Sequence, residues 1–235
     1  MNVRLTPSEV RGTVTAPPSK SMAHRAILCA ALAPGRSRVD NLAFSQDILA
    51  TLNAVRALGA RVETGDSWAV IDGPQRIAAQ DGVCVDCAES GSTLRFLIPV
   101  FAQTGADVRF TGRGRLLERP QNVYEQLFAE KGIAFTHTPA EVRVRGPLPA
   151  GEYEVDGGVS SQFITGLLLA ARRSRAAAMW VSRCAQWLIS ASTLRKTEIH
   201  IVLMEKKNTF RQITPSRAIT RRRRSLPCWA RCAAA

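Results

Sequence analysis

Gly59-Ala60-Arg61-Val62-Glu63-Thr64-Gly65-Asp66-Ser67-Trp68-Ala69-Val70-Ile71-Asp72-Gly73-Pro74 returns 73 positions later as Gly132-Ile133-Ala134-Phe135-Thr136-His137-Thr138-Pro139-Ala140-Glu141-Val142-Arg143-Val144-Arg145-Gly146-Pro147. The glycines and the closing Gly-Pro keep their places. Between them each copy holds two short strand-like runs: Arg61-Val62-Glu63 then Trp68-Ala69-Val70-Ile71, and Ile133-Ala134-Phe135 then Val142-Arg143-Val144. Alternating side chains fall on opposite faces of a strand, so each copy reads as a pair of half-buried strands. A helix with one apolar stripe precedes each pair, Asp47 to Leu58 with Ile48, Leu52 and Val55, and a segment carrying Val123, Tyr124, Leu127 and Phe128. A repeated unit fixes architecture before any motif is considered.

A second class of helix precedes these units and is apolar nearly all round: Met22 to Leu32, Leu94 to Phe101, and Phe163 to Ala171. Such helices are buried. Serine-bearing loops open all three, Ser19-Lys20-Ser21, Ser90-Gly91-Ser92 and Ser160-Ser161-Gln162, and their hydroxyls can cap free backbone N–H groups. The pattern predicts an α/β, pseudo-threefold domain of βαβαββ repeats whose buried helices run parallel and open around one site. The third repeat is incomplete, for the composition changes after Ala171.

Residues 1–171 hold 17 Lys+Arg against 17 Asp+Glu, and residues 172–235 hold 15 against 2, so the whole net charge of +13 lies in the last quarter. All 16 glycines precede residue 172, while three of the four tryptophans follow it and no aspartate does. The expected division is therefore a domain at 1–171 and a basic tail at 172–235. The abrupt change fits a shift of reading frame or a defective gene end. A nucleic-acid-binding extension centred on Arg221-Arg222-Arg223-Arg224 is the competing reading, and a nucleic-acid partner is not expected. No run approaches the roughly 20 apolar residues of a membrane helix, and the start MNVRLTPSEVRG lacks the apolar centre of a secretory signal, so the expected location is cytoplasmic with no membrane contact. Six cysteines without regular spacing predict reduced thiols, and Cys84-Val85-Asp86-Cys87 is half a zinc site with no second pair; no metal or cofactor is expected.

Helix amino termini attract anions through unpaired N–H groups and the macrodipole. Lys20 adds a point charge at the first of these openings, Ser21 a hydroxyl, and Arg25 lies one turn beyond Ser21, so the three can converge on one phosphorylated or carboxylated ligand. A capped helix with solvated basic side chains would show the same spacing.

Ala16-Pro17-Pro18-Ser19-Lys20-Ser21-Met22-Ala23-His24-Arg25-Ala26 closely resembles the opening signature of the 5-enolpyruvylshikimate-3-phosphate synthases. Further matches follow in order. Glu89-Ser90-Gly91-Ser92-Thr93-Leu94-Arg95 resembles that family's glycine-containing loop, Leu117-Glu118-Arg119-Pro120 its arginine loop, and Val159-Ser160-Ser161-Gln162-Phe163 its serine-glutamine loop. The resemblance covers roughly residues 5–171 and implies half of a two-domain enolpyruvyltransferase fold, an inside-out α/β barrel whose domains close over the substrates, monomeric in the intact family. It implies transfer of the enolpyruvyl group of phosphoenolpyruvate to the 5-hydroxyl of shikimate 3-phosphate, with release of phosphate, on the route to chorismate and the aromatic amino acids. Carried over by motif, Lys20 touches both substrates, Ser21, Arg25, Ser160 and Ser161 hold shikimate 3-phosphate, Gly91 and Arg119 serve phosphoenolpyruvate, and Gln162 bridges the two. A sister enzyme acting on a nucleotide sugar shares the architecture, but the Pro17-Pro18-Ser19-Lys20-Ser21 opening points to shikimate.

The sequence also departs from that pattern. The family's proton-transfer groups, an aspartate and a Lys-Glu pair, come from its second domain and have no counterpart here, so no catalytic acid or base is expected and turnover by this chain alone is expected to be negligible. A non-catalytic shikimate-phosphate-binding half is the alternative. His24 reads as structural. Arg95 and Arg115 read as loop supports that pair with nearby Glu89 or Glu118.

Overall fold

The computed structural model describes residues 17–156 and 159–171, together with the backbone of 198–203. Helix α1 (Lys20–Leu32) starts where Ser19 turns the chain out of an extended conformation and its Oγ accepts the Met22 N–H. It buries Ala23, Ile27, Leu28, Ala30 and Ala31 and is followed by strand β1 (Gly35–Val39) and helix α2 (Gln46–Ala57), whose stripe Ile48, Leu52 and Val55 is buried as its spacing predicts. Gly59 ends that helix at φ +92°, a left-handed position that glycine takes without a Cβ clash. Strands β2 (Arg61–Thr64) and β3 (Ala69–Gly73) follow, and β3 lies between β1 and β2, antiparallel to both.

The second unit is a complete βαβαββ: β4 (Val83–Asp86), α3 (Gly91–Ala102), β5 (Asp107–Thr111), α4 (Asn122–Glu130), β6 (Ala134–His137) and β7 (Val142–Arg145). Its sheet runs β4-β5-β7-β6, with β4 and β5 parallel and the other pairs antiparallel. The repeated glycines have repeated jobs. Gly132 ends α4 at φ +67° as Gly59 ends α2. A Cβ on Gly73 would overlap the Ala33 carbonyl oxygen at the end of α1, and one on Gly146 would overlap the Ala102 carbonyl oxygen at the end of α3. Each strand pair can lie against its buried helix only where the last residue has no side chain.

Helix α3 is buried on almost every side and contains Pro99. Proline lacks an N–H, so the carbonyl four residues back, that of Arg95, has no helical donor. The Tyr124 hydroxyl fills the gap, donating to Arg95 O at 2.6 Å from a fully buried position. Its ring meets Phe163 edge-on at 4.9 Å and stacks on Phe128 at 5.3 Å, joining the two interior helices to α4.

The third unit supplies β8 (Gly151–Asp156) and α5 (Ser161–Ala170). Gly166 lets α5 lie directly on α3, since a Cβ there would stand 2.5 Å from Arg95 O. The basic tail adds one strand that its composition did not announce: β9 (Glu198–Leu203) pairs antiparallel with β8 from Gly151↔Leu203 to Asp156↔Glu198. Six residues inside an arginine-rich segment are too short a stretch to stand out by composition. Residues 1–16, where the first strand of unit one is expected, and the rest of 172–235, with Arg221-Arg222-Arg223-Arg224, lie outside the described residues. Among those described, no helix is long and apolar enough to cross a membrane.

Candidate functional site

All three serine-bearing loops cap their helices. Ser19 Oγ accepts from Met22 N, Ser90 Oγ from Thr93 N at 3.1 Å, and Ser160 Oγ from Gln162 N at 3.3 Å. Each cap satisfies one of the helix's free donors and leaves the others pointing outward.

At the opening of α1, Arg25 Nη1 donates to Ser21 Oγ at 2.7 Å and to Ser21 O at 3.0 Å, so the predicted convergence of these two residues is present. The Arg25 guanidinium lies over the Phe96 ring of α3, 5.0 Å from its centroid, and burial pulls its pKa below the usual arginine value. Its Nε is buried without a partner. Lys20 Nζ, half-exposed, forms an ion pair with the Asp47 carboxylate at the start of α2.

The opening of α3 gathers the second group. A Cβ on Gly91 would stand 2.9 Å from Arg119 Nη1 and 4.0 Å from Gln162 Oε1, so these three residues from three separate motifs share one spot. The arginine loop is tied down on several sides. Gln121 Nε2 donates to Arg119 O at 3.3 Å, Arg95 Nη2 donates to Pro120 O at 3.1 Å, and His137 sits with Nε2 2.7 Å from Leu117 O and Nδ1 3.0 Å from Glu125 Oε1. Arg115 pairs with Glu118 at 2.9 Å, as the sequence suggested.

Arg95 does not pair with a glutamate. Its Nη1 donates to Gln162 Oε1 at 2.9 Å, and its guanidinium lies 4.8 Å from the Phe163 ring centroid. Gln162 Nε2 in turn donates to Ser92 Oγ at 3.0 Å, which joins the openings of α3 and α5. Burial, and then the nearby Arg119 guanidinium, push the Arg95 pKa down. Two neighbouring cations, with no carboxylate bonded to either among the described residues, form a place where an anion relieves repulsion. Arg95, read from the sequence as a loop support, carried one signal for this place: it stands four residues after Gly91 on the same helical face.

A buried polar chain that the sequence reading missed joins α1, α2 and α3. His24 Nδ1 lies 2.7 Å from Thr51 Oγ1, Thr51 Oγ1 lies 2.7 Å from Thr93 Oγ1, and Thr93 Oγ1 donates to Ser90 Oγ at 2.7 Å. Burial lowers the His24 pKa to about 4, so this imidazole is neutral near pH 7. Isolated threonines in helices carry no sequence signal for such a chain. The structure thus brings Arg119 and Gln162 close to Gly91, places Lys20, Ser21 and Arg25 on the adjoining helix, and links the two groups through α3. Among the described residues no hydrogen bond or ion pair joins Ser160 or Ser161 directly to α1. Cys84 on β4 is exposed, whereas Cys87, just beyond the end of that strand, is buried.

The EPSP synthase (3-phosphoshikimate 1-carboxyvinyltransferase) family model matches residues 5–220, past the change in composition at 171. A 3-phosphoshikimate 1-carboxyvinyltransferase of Clostridium perfringens strain SM101 is 44% identical over 168 residues, covering 71% of this chain and 40% of that protein. One from Clostridium kluyveri is 44% identical over 170 residues, covering 72% and 40%. The solved EPSP synthase of Acinetobacter baumannii superposes with a TM-score of 0.58 at 26% identity, covering 68% of this chain and 38% of that one. The chain spans about two fifths of the length of these relatives, as half of a two-domain fold would. With one complete βαβαββ unit described, a second that matches it from its inner helix onward, and three serine-capped inner helices, the chain belongs to the EPSP synthase family.

Proposed function

We propose that the site binds shikimate 3-phosphate and phosphoenolpyruvate and serves enolpyruvyl transfer from the second to the 5-hydroxyl of the first, with release of inorganic phosphate, in a cytoplasmic and monomeric setting. The observation that carries this reading is the meeting of Gly91, Arg119 and Gln162 beside the Lys20–Arg25 helix. In this reading Ser21, Arg25, Ser160 and Ser161 take the shikimate phosphate. Lys20 exchanges its Asp47 partner for ligand oxygens. Arg119 grips the phosphoenolpyruvate carboxylate or phosphate with its planar fork, while Gly91 lets the backbone approach. Gln162, held by Arg95, orients the attacking hydroxyl, a contribution of positioning.

Residues 172–235 contain no aspartate, and in this reading the described residues supply the binding half of the reaction. Loss of acid–base assistance removes a factor of roughly 10² to 10⁴ per step. Calorimetric titration of the 235-residue chain with shikimate 3-phosphate tests the reading. Binding that phosphoenolpyruvate strengthens, with no phosphate released, is the expected result; absence of binding, or preference for UDP-N-acetylglucosamine, defeats it.

A further inference from the structure

We propose that Thr51 is a positioning residue whose buried hydroxyl fixes the Ser90–Ser92 loop against the Lys20–Arg25 helix and so sets the spacing of two ligand subsites. The subsites rest on the function proposed above; the tie between the two segments does not.

Thr51 is on α2, which contributes none of the proposed ligand-binding residues, yet it stands where the two loops are joined. It is fully buried, as is Thr93, and His24 and Ser90 are 2% and 1% exposed, so water is not available to replace any partner. Each hydroxyl has one proton, so the Thr51 hydroxyl, with His24 Nδ1, Thr93 Oγ1 and the Asp47 carbonyl oxygen all within reach, can donate to one of them and accept from the others that carry a proton. The Ser90 oxygen at the end of the chain also receives the Thr93 N–H, and it is the cap that opens α3 one residue before Gly91.

A second path runs beside the first. The Asp47 carbonyl oxygen lies 3.1 Å from Thr51 Oγ1 and 3.4 Å from Thr93 Oγ1, and the Asp47 carboxylate is the partner of Lys20. Thr51 therefore touches both routes from α1 to the Gly91 loop: His24 through its side chain, and Lys20 through Asp47. Removing the central hydroxyl leaves His24 and Thr93 facing an apolar group inside the protein, a loss concentrated where the three helices meet.

The test compares Thr51→Val, which keeps the shape and removes the hydroxyl, with Thr51→Ser, which keeps the hydroxyl, by amide hydrogen exchange on the full 235-residue chain without ligand. Thr51→Val is expected to speed exchange at Gly91, Ser92 and Thr93 on the order of tenfold while α4 amides such as Phe128 keep their rate, and Thr51→Ser is expected to restore wild-type exchange. Unchanged exchange at 91–93, equal acceleration in α4, or failure of the serine variant to restore protection would overturn the proposal. With shikimate 3-phosphate added, protection is expected to spread from Ser21 to Gly91 in wild type and Thr51→Ser but not in Thr51→Val. A wild-type chain that fails to bind the ligand refutes the ligand-binding reading, whereas the ligand-free comparison decides the role of Thr51 on its own.

Discussion

Arg95 decides which way round the Gln162 amide faces. Its Nη1 lies 2.9 Å from Gln162 Oε1, a donor against the amide's only acceptor, so the NH₂ end is left to donate to Ser92 Oγ at 3.0 Å. Arg95 also holds the Pro120 carbonyl at 3.1 Å, so one guanidinium positions both the glutamine and the arginine loop. Lysine has one charged nitrogen and cannot span both acceptors in this geometry. Arg95→Lys is expected to weaken shikimate 3-phosphate binding about tenfold or more, of the size of one lost charge-assisted hydrogen bond. Titration of the two chains checks it; equal affinities would show that the amide is oriented without Arg95.

Gly91→Ala separates site from fold. The atom its Cβ would meet at 2.9 Å is Arg119 Nη1, the far end of a flexible side chain, so the guanidinium can swing away without moving the backbone. The expected outcome is a melting temperature close to that of wild type together with weakened phosphoenolpyruvate binding. A large fall in melting temperature would contradict this account of the contact.

Gly166→Ala should behave in the opposite way. The same methyl there stands 2.5 Å from both the Arg95 carbonyl and the Tyr124 hydroxyl, atoms fixed by the buried helices α3 and α4. Overpacking of this kind costs about 1–3 kcal/mol, and chemical denaturation should report a loss in that range. Tyr124→Phe removes the donor that covers the carbonyl freed by Pro99, and a comparable loss of about 1–3 kcal/mol is expected from an acceptor left unpaired.

Acid should destabilise the fold through His24. Its pKa falls from 6.5 to about 4 on burial, so between those values the unfolded chain binds a proton that the folded chain refuses. The stability is complete above pH 6.5 and declines as pH drops toward 4, by on the order of 3 kcal/mol from this group. Urea midpoints measured across that window in wild type and in His24→Asn, which cannot titrate, should diverge in slope. Parallel slopes would show that His24 does not remain neutral in the folded chain.

The fold was legible because its defining residues are punctuation. Gly59 and Gly132 need left-handed backbone, Gly73 and Gly146 need the absence of a side chain, and three serines mark three helix starts. Such requirements are local, so spacing reveals them. Contacts among Gly91, Arg119 and Gln162 were readable only as separate motifs, since no local rule states that loops from three segments meet. The partners of Arg95 were misjudged because nearness in sequence favoured Glu89, whereas folding delivers Gln162 from 67 positions away. The His24–Thr51–Thr93–Ser90 chain was invisible for a related reason: buried hydroxyls reveal themselves by their partners, and these come from three helices.

In the proposed function the openings of α1 and α5 serve one ligand, although among the described residues no side-chain bond joins them directly. Amide chemical shifts followed during titration with shikimate 3-phosphate test this most directly. Residues 20–25 and 160–162 are expected to shift together and to saturate at one ligand per chain. Shifts confined to one of the two segments, or saturation of the two at different ligand concentrations, would contradict it.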